Sequence, residues 1–211
     1  IAIVGGEGAI QTGSGSGGGF GGGASIRSDD LAGALYEAIE DKDVKAIVFR
    51  VSSPGGSPEA SEQILAAVRA ARAAGKPVVV SMGAYAASGG YWISSEADYI
   101  VAQPSTLTGS IGVYGGKFVL ANALGRFGVD IRDLSVGGDY ADAFSPARPF
   151  SAAQRAAYSA SIDRTYDEFI ARVATGRHLS PARVREIARG RVWTGRQAKE
   201  LGLVDELGGL H

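Results

Sequence analysis

Residues 77–94 read "PVVVSMGAYAASGGYWIS". An apolar run of strand length, "PVVVSM", passes into small residues, a serine at position 88 and a glycine pair that opens a helix-like stretch. A buried strand that feeds a helix is the repeating unit of a parallel, helix-covered sheet, so this junction predicts an α/β fold. In such sheets ligands bind where strands end and helices begin. Ser88 stands at that place, and two readings of it are open. One is an N-cap, the common use of a serine ahead of a helix. The other is a nucleophile facing the unpaired N–H groups and partial positive charge of a helix start, where the glycines at 89 and 90 allow a substrate carbonyl to approach.

The alternation extends in both directions. Upstream, "IAIVGG" (1–6) reads as a strand, and "DDLAGALYEAIEDKD" (29–43) as a helix with Leu31, Leu35 and Ile39 on one face. "KAIVFRV" (45–51) is a continuous apolar strand of the kind buried on both faces. "SSPGGS" (52–57) is a turn by composition. The helix after it starts at the cap Ser57 with Pro58 in first position, turns Ile64, Leu65 and Val68 inward, and closes at Gly75. Downstream, strands are predicted at "DYIVA" (98–102), "SIGVY" (110–114) and "VDIRDLSV" (129–136), a turn at "QPSTLTGS" (103–110), and a helix from Lys117 to Phe127. Residues 151–211 read as mostly helical. There Ser151 with Gln154, and Thr194 with Gln197, form capping-box patterns. Tyr158, Ile162, Tyr166, Phe169 and Val173 make a stripe suited to core or subunit contact. The expectation is one domain over residues 1–211 with a mainly parallel sheet covered by helices.

Composition narrows the chemistry. The formal net charge is −1, which removes any global electrostatic argument for nucleic acid or an anionic membrane. The arginines between Arg177 and Arg191, interrupted by Glu186, read as a solvated helical face. Without cysteine there are no disulfides, no thiolate catalysis and no zinc-thiolate site. The histidines, His178 and His211, lack companions at ligand spacing, so neither a metal nor another cofactor is expected. No apolar run reaches the ~18 residues of a membrane span. Residues 12–23 are mostly glycine and read as a flexible loop. Their GxGxxG match at Gly13, Gly15 and Gly18 is not followed by a helix, so it does not read as a dinucleotide site.

A second glycine pair bears on Ser88. Neighbouring strand ends lie side by side in a parallel sheet, which brings the amides of Gly55 and Gly56 opposite the serine. Two amide sources and a hydroxyl suit acyl transfer, whereas the bland alternative is a tight turn. The blocks "VFRVSSPGGSPEASEQI", "KPVVVSMGAYAASGGYWISSEADYIVAQPSTLTGSIGVYG" and "GRVWTGRQAKELGLVDELG", in this order, resemble the signal peptide peptidase A family, also called protease IV. These are bacterial Ser/Lys peptidases with the ClpP/crotonase-like core. The resemblance implies that Ser88 is the nucleophile, that Gly55, Gly56 and Gly89 build the oxyanion hole, and that Ser110 of "TGSIG" helps to position the base. It further implies signal peptides and other membrane-associated peptides as substrates, an assembly of several subunits, and a place on the extracytoplasmic, periplasmic side of the bacterial inner membrane.

Two departures stand out. Family members usually carry asparagine before "SPGG", where this chain has Ser52. More important, the single-domain members place the base lysine about fifty residues after the serine, in a motif like "YK" ahead of "SP". In "GGDYADAFSP" (137–146) that position holds Ala141. Either the chain corresponds to the C-terminal copy of a long, tandem member, with the lysine supplied by the N-terminal copy or a neighbouring subunit, or it is a short member whose lysine was replaced. The abrupt opening on a strand favours the first. Of the lysines at 42, 45, 76, 117 and 199, Lys117 is the one to weigh as an internal base. Two rival functions remain: a crotonase-like acyl-CoA enzyme, which also holds an oxyanion on paired amides, and a catalytically silent assembly module.

Overall fold

The computed structural model describes residues 1–15 and 23–210. The greater part of the glycine loop, with Gly18, and His211 therefore lie outside the described residues. The chain divides into two compact units, Ile1–Gly112 together with Asp167–His211, and Val113–Tyr166.

The first unit opens with β1 (Ala2–Glu7), β2 (Ala9–Gln11), β3 (Ser25–Arg27), α1 (Ser28–Glu40) and β4 (Ile47–Ser53). It continues through α2 (Pro58–Ala73), β5 (Val78–Ala87), α3 (Gly89–Trp92), β6 (Tyr99–Ala102) and β7 (Leu107–Gly109). The second unit holds α4 (Ala121–Gly125) and the start of α5 (Ala152–Arg177), whose last turns from Asp167 belong to the first unit. The first unit then closes with α6 (Pro181–Ile187), β8 (Val192–Thr194), α7 (Gly195–Glu200) and β9 (Glu206–Leu207).

The main sheet is parallel in the order β1-β4-β5-β6-β9, with β7 parallel to the far end of β5 and β8 antiparallel to β7. β4 alternates strictly: Ile47, Phe49, Val51 and Ser53 are buried, while Val48, Arg50 and Ser52 remain partly exposed. This corrects the expectation of a strand buried on both faces. Successive right-handed crossovers stepping one way along a sheet place their helices on the same face, and α1 and α2 do pack on each other. α2 follows its sequence signals, with Ser57 accepting from the Ala60 N–H at 3.2 Å, Pro58 in the first turn and Gly75 at φ +76° beyond its end.

Three other expectations shift. The strand placed at 110–114 is instead β7 at 107–109, inside the stretch read as a turn. Thr106 and Thr108 draw it there, each Oγ1 donating to a β5 carbonyl, Gly83 and Ala86 respectively, at 2.7 Å. Positive φ at Gly109 and Ser110 then ends the strand. In the second unit the helix expected from Lys117 shrinks to Ala121–Gly125, because Lys117 is drawn to the carbonyls of Ala143 and Ser145 and the Leu120 N–H to that of Pro146. Residues 129–136 form no strand; Val129, Leu134 and Val136 are exposed, with no partner strand among the described residues. Both capping boxes are present, Ser151 with Gln154 and Thr194 with Gln197. Arg177 is not a solvated arginine: its side chain is buried and grips Asp205 through two nitrogens. Burial opposes its charge, but Asp205 outweighs burial and raises the guanidinium pKa.

The end of α5 lies hard against the turn after α3. A Cβ on Gly176 would sit 2.0 Å from the Ser95 carbonyl oxygen. Gly176→Ala should therefore destabilise the protein by about 1–3 kcal/mol, even though alanine favours a helix by about 1 kcal/mol over glycine. Chemical denaturation of both proteins measures the difference, and a stabilised variant would contradict the contact.

Candidate active site

β4 and β5 stay paired to their C-terminal ends, but out of even register. Their register runs evenly to Val51 and Met82, then jumps to Ser53 and Ala86, so β5 bulges before it reaches Ser88. Ser88 itself is held at φ 52°, ψ −121°, a conformation costing a non-glycine residue about 1–3 kcal/mol that persists only where surroundings fix it. Those surroundings are backbone bonds. The Ser88 N–H donates to Gly109 O at 2.9 Å, and the Ser88 carbonyl accepts from the N–H groups of Tyr91 and Trp92 at 2.9 Å. The side chain makes no capping bond. Ser88 thus precedes a helix without serving as its cap, and its hydroxyl stays half-exposed and unbonded among the described residues.

The glycine pair of "SPGG" comes up against it. Gly55, at φ +106°, has no room for a side chain: a Cβ would lie 2.7 Å from both Ser88 Cβ and Gly89 N. The Gly55 carbonyl accepts from the Ile10 N–H, and the Ser57 N–H donates to Ile10 O, both at 2.9 Å. In a trans peptide N–H and C=O point opposite ways, so the Gly56 N–H is aimed away from Ile10. The space where a Gly89 Cβ would stand is 3.1 Å from Gly56 N. No backbone or side-chain acceptor among the described residues takes the N–H of Gly56 or Gly89. The structure thus brings a free hydroxyl and two free amides to one place, an arrangement able to hold a tetrahedral oxyanion. Ser52 does not disturb the turn, because the bond within it runs from the Gly55 N–H to Ser53 Oγ at 3.1 Å.

Ser110 directly follows Gly109, the last β7 residue in register with β5 and the one whose carbonyl accepts from the Ser88 N–H. It too has positive φ, 47°, and its N–H donates to Arg191 O at 2.7 Å. Lys76 belongs to the opposite end of the sheet, its amine bonded to the carbonyls of Ala38 and Asp41. The ten residues of β5 separate that end from Ser88 by roughly 30 Å at strand rise. Lys45 donates to Lys42 O, and Lys199 is exposed on α7. In the second unit the Lys117 amine donates to Ala143 O and Ser145 O at 2.6 and 3.0 Å and lies 4.5 Å from the Phe150 ring centroid. These are partners for an ammonium, so Lys117 straps its own loop together. Ala141 is exposed in the turn at 139–144, its N–H donating to Gly138 O. His178, exposed at φ 53° just past α5, joins no cluster, and no group of three or more potential metal ligands occurs among the described residues.

The sequence profile of peptidase family S49 matches residues 70–211, which include Ser88 and Gly89. The chain belongs to peptidase family S49. Its parallel sheet with flanking helices is the ClpP/crotonase-like architecture of that family. Among its relatives, a Protease 4 of Salmonella typhi is 49% identical over 99% of this chain and 32% of the relative. A Protease 4 of Haemophilus influenzae is 44% identical over 87% of the chain and 29% of the relative. A relative from Enterococcus faecium bearing a signal peptide peptidase name is 36% identical over 82% of the chain and 50% of the relative. The chain thus spans just under a third of the length of the two Protease 4 relatives. Among the described residues no helix is long and apolar enough to cross a membrane.

What anchors the serine in this S49 chain goes beyond the motifs. The short helix α3 is pinned at three points. The buried Tyr91 hydroxyl donates to Leu203 O at 2.8 Å, the Trp92 ring packs on Phe169 at 4.6 Å, and Trp92 Nε1 donates to Glu62 at 2.9 Å. Glu62 also accepts from Arg69 at 2.8 Å and Arg172 at 3.1 Å, and Arg69 continues to Glu96. Ser61 Oγ, donating to Ser57 O, lies 2.7 Å from the space a Gly89 Cβ would need. Neither Ser61 nor Glu62 stood out in the sequence. Only the one-turn spacing of Ser61 from the cap Ser57, with Glu62 next to it, could have suggested them.

Burial opposes the charge on Glu62, but the hydrogen bonds from Arg172, Trp92 and Arg69 outweigh it, and the carboxyl pKa is lowered. A lowered folded-state pKa means stability that is present above the unfolded value, near 4.5, and lost as pH falls through the folded value. At neutral pH Glu62→Gln should cost about 1 kcal/mol, reduced by partial solvent screening. The gap from the parent should close as pH drops below about 4.5. Thermal melts of both proteins from pH 7 to pH 3 measure it; a constant gap would remove the carboxylate from this role.

Proposed function

We propose that this chain is the nucleophile-bearing part of a serine endopeptidase that works by a Ser/Lys mechanism. The observation that carries the reading is the strained Ser88, its hydroxyl free of any capping bond, beside the unpaired N–H groups of Gly56 and Gly89. As the peptide carbonyl enters, a neutral lysine amine takes the Ser88 hydroxyl proton while Oγ bonds to the carbonyl carbon and the π pair moves onto oxygen. The Gly56 and Gly89 N–H groups, in the turn that Gly55 shapes, receive that oxyanion. Its collapse breaks the C–N bond, the leaving amine takes the proton back from the ammonium, and water then cleaves the acyl-serine with the amine again as base. Ser110, next in the chain to the Gly109 that holds the Ser88 N–H, positions the incoming amine.

The lysine comes from outside this chain, from an N-terminal copy of the same fold or a neighbouring subunit. Lys76, Lys45 and Lys117 are tied to other carbonyls, and position 141 is alanine. The identity to a relative of which the chain covers about a third, 49%, exceeds the 36% to one of which it covers half, in favour of the tandem history. Substrates are signal peptides and other membrane-associated peptides, met on the extracytoplasmic side of a bacterial inner membrane by an assembly of several subunits. The names of the relatives support the peptidase, and the signal peptide name of one supports the substrate class.

In the full-length enzyme Ser88→Ala should lower peptide hydrolysis by a factor of about 10⁴ or more without unfolding the protein. A serine-directed phosphonate should label Ser88 and spare the variant. Turnover above about one per cent of the parent's would contradict a nucleophile role.

The source of the base is tested separately. The chain alone should hydrolyse peptides only at the residual level, about 10³–10⁴ over water, that an oxyanion hole and binding provide. Co-expression with the lysine-bearing N-terminal copy should restore turnover, whereas Ala141→Lys in the single chain should not. Full activity of Ala141→Lys alone, rising with alkaline pH, would favour a short enzyme that lost its lysine.

A further inference from the structure

We propose that Ser53 is a positioning residue for the oxyanion hole, setting the Pro54–Gly55 peptide so that the Gly56 N–H stays aimed at the substrate carbonyl. This rests on the reading of Ser88 and its two amides as a peptidase site. Ser53 ends β4, directly after the register jump, and is completely buried. Its Oγ accepts from the Gly55 N–H at 3.1 Å, closing a serine turn across Pro54. Gly55 is also buried, so without that acceptor its N–H would be left unpaired.

The bond matters because the turn has two peptide planes and one hydrogen bond to hold each, one from backbone and one from the Ser53 side chain. The Gly55–Gly56 plane is fixed by Ile10, whose N–H donates to Gly55 O. The Pro54–Gly55 plane is fixed from its N–H side by Ser53 Oγ. Loss of the second leaves the turn on the Ile10 bond alone, and Gly55, already at φ +106°, can then rotate toward another acceptor at the expense of that bond. Such a rotation carries with it the Gly56 N–H, which shares a peptide plane with Gly55 O. Ser53 also touches the other half of the site: a Cβ on Gly90 would lie 2.7 Å from Ser53 O and 3.1 Å from Ser53 Cβ. One residue thereby ties the turn bearing the first amide to the helix start bearing the second. Nothing in its place suggests contact with substrate, so its effect passes through Gly56.

The experiment uses the full-length protein with Ser53→Ala, Ser53→Cys and Ser53→Thr. The readouts are kcat and KM on a peptide, the inhibition constant of a peptide aldehyde that forms a tetrahedral adduct, thermal stability, and hydrogen exchange of the Gly55 amide. Ser53→Ala and Ser53→Cys, which remove or weaken the acceptor, should lower kcat about 10- to 100-fold and weaken the aldehyde by a similar factor, less than the ~10²–10³ for deleting an oxyanion donor outright. KM should stay within about threefold of the parent, and Gly55 exchange should quicken. Ser53→Thr, which keeps the acceptor, should recover most of kcat. Should the alanine variant fail to fold, the contrast between cysteine and threonine carries the test. Equal kcat and aldehyde affinity in the cysteine and threonine variants, or a loss appearing in KM and stability alone, would overturn the role of Ser53. Failure of the underlying peptidase reading would instead show in the parent, which would neither turn over peptide nor take up the aldehyde, and it would overturn this proposal with it.

Discussion

The approach of one glycine backbone to Ser88 is the constraint around which the first unit is arranged. Gly55 comes so close that a single added carbon would strike both the Cβ of Ser88 and the nitrogen of Gly89. Such proximity is available only if β4 and β5 end side by side, and β5 must bulge to deliver Ser88 to that level. β7 must then hold the serine backbone through Gly109. Further out, Glu62, Trp92, Tyr91 and Phe169 keep α3 from drifting off the glycine turn. Each layer fixes the one inside it, which is how a strained serine conformation persists.

That order of dependence explains which parts were legible from residues alone. The strands β1, β4 and β5 and the helices α1 and α2 carry their own signals: apolar runs of strand length, a serine cap with proline behind it, and a closing glycine. The meeting of Ser88 with the two glycine pairs was legible because such close backbone approach, with no room for a Cβ at Gly55, Gly56, Gly89 or Gly90, demands small residues at fixed offsets. β7 was not, since "TLTG" looks like a turn until Thr106 and Thr108 find the carbonyls of β5. Its strand character is supplied by a neighbour distant in sequence. Arg177 misled for the opposite reason, because an arginine among arginines reads as solvated until Asp205 closes over it.

Much of the second unit resisted reading, apart from the capping box of Ser151 and Gln154 and the helix it opens. Its apolar residues alternate as a strand would at 129–136, yet Val129, Leu134 and Val136 face outward, as do Tyr114, Phe118 and Phe127. Its main aromatic cluster is the trio Phe144, Phe150 and Tyr158, with ring centroids 5.3–5.7 Å apart and Lys117 over one face, and even there Phe144 stays exposed. Periodicity predicts structure when the apolar face is buried within the same unit. Here too few apolar side chains are buried for the period to be enforced.

The same physics bears on the proposed division of labour between chains. Oxyanion donors act over a tolerance of a few tenths of an ångström, so they must come from backbone locked into one continuous hydrogen-bonded frame with the nucleophile. In the proposed mechanism Gly56 and Gly89 are those donors, and the peptides around them are bonded to Ile10, Ser53 and Gly109. A lysine amine sits at the end of a four-carbon stem and can be delivered from any rigid body that reaches the site. Of the parts of the mechanism, the base is thus the one that a separate copy of the fold can supply without disturbing the rest. On that proposal the lysine that position 141 lacks is the part a partner can bring, while the part of the site most sensitive to position remains within a single chain.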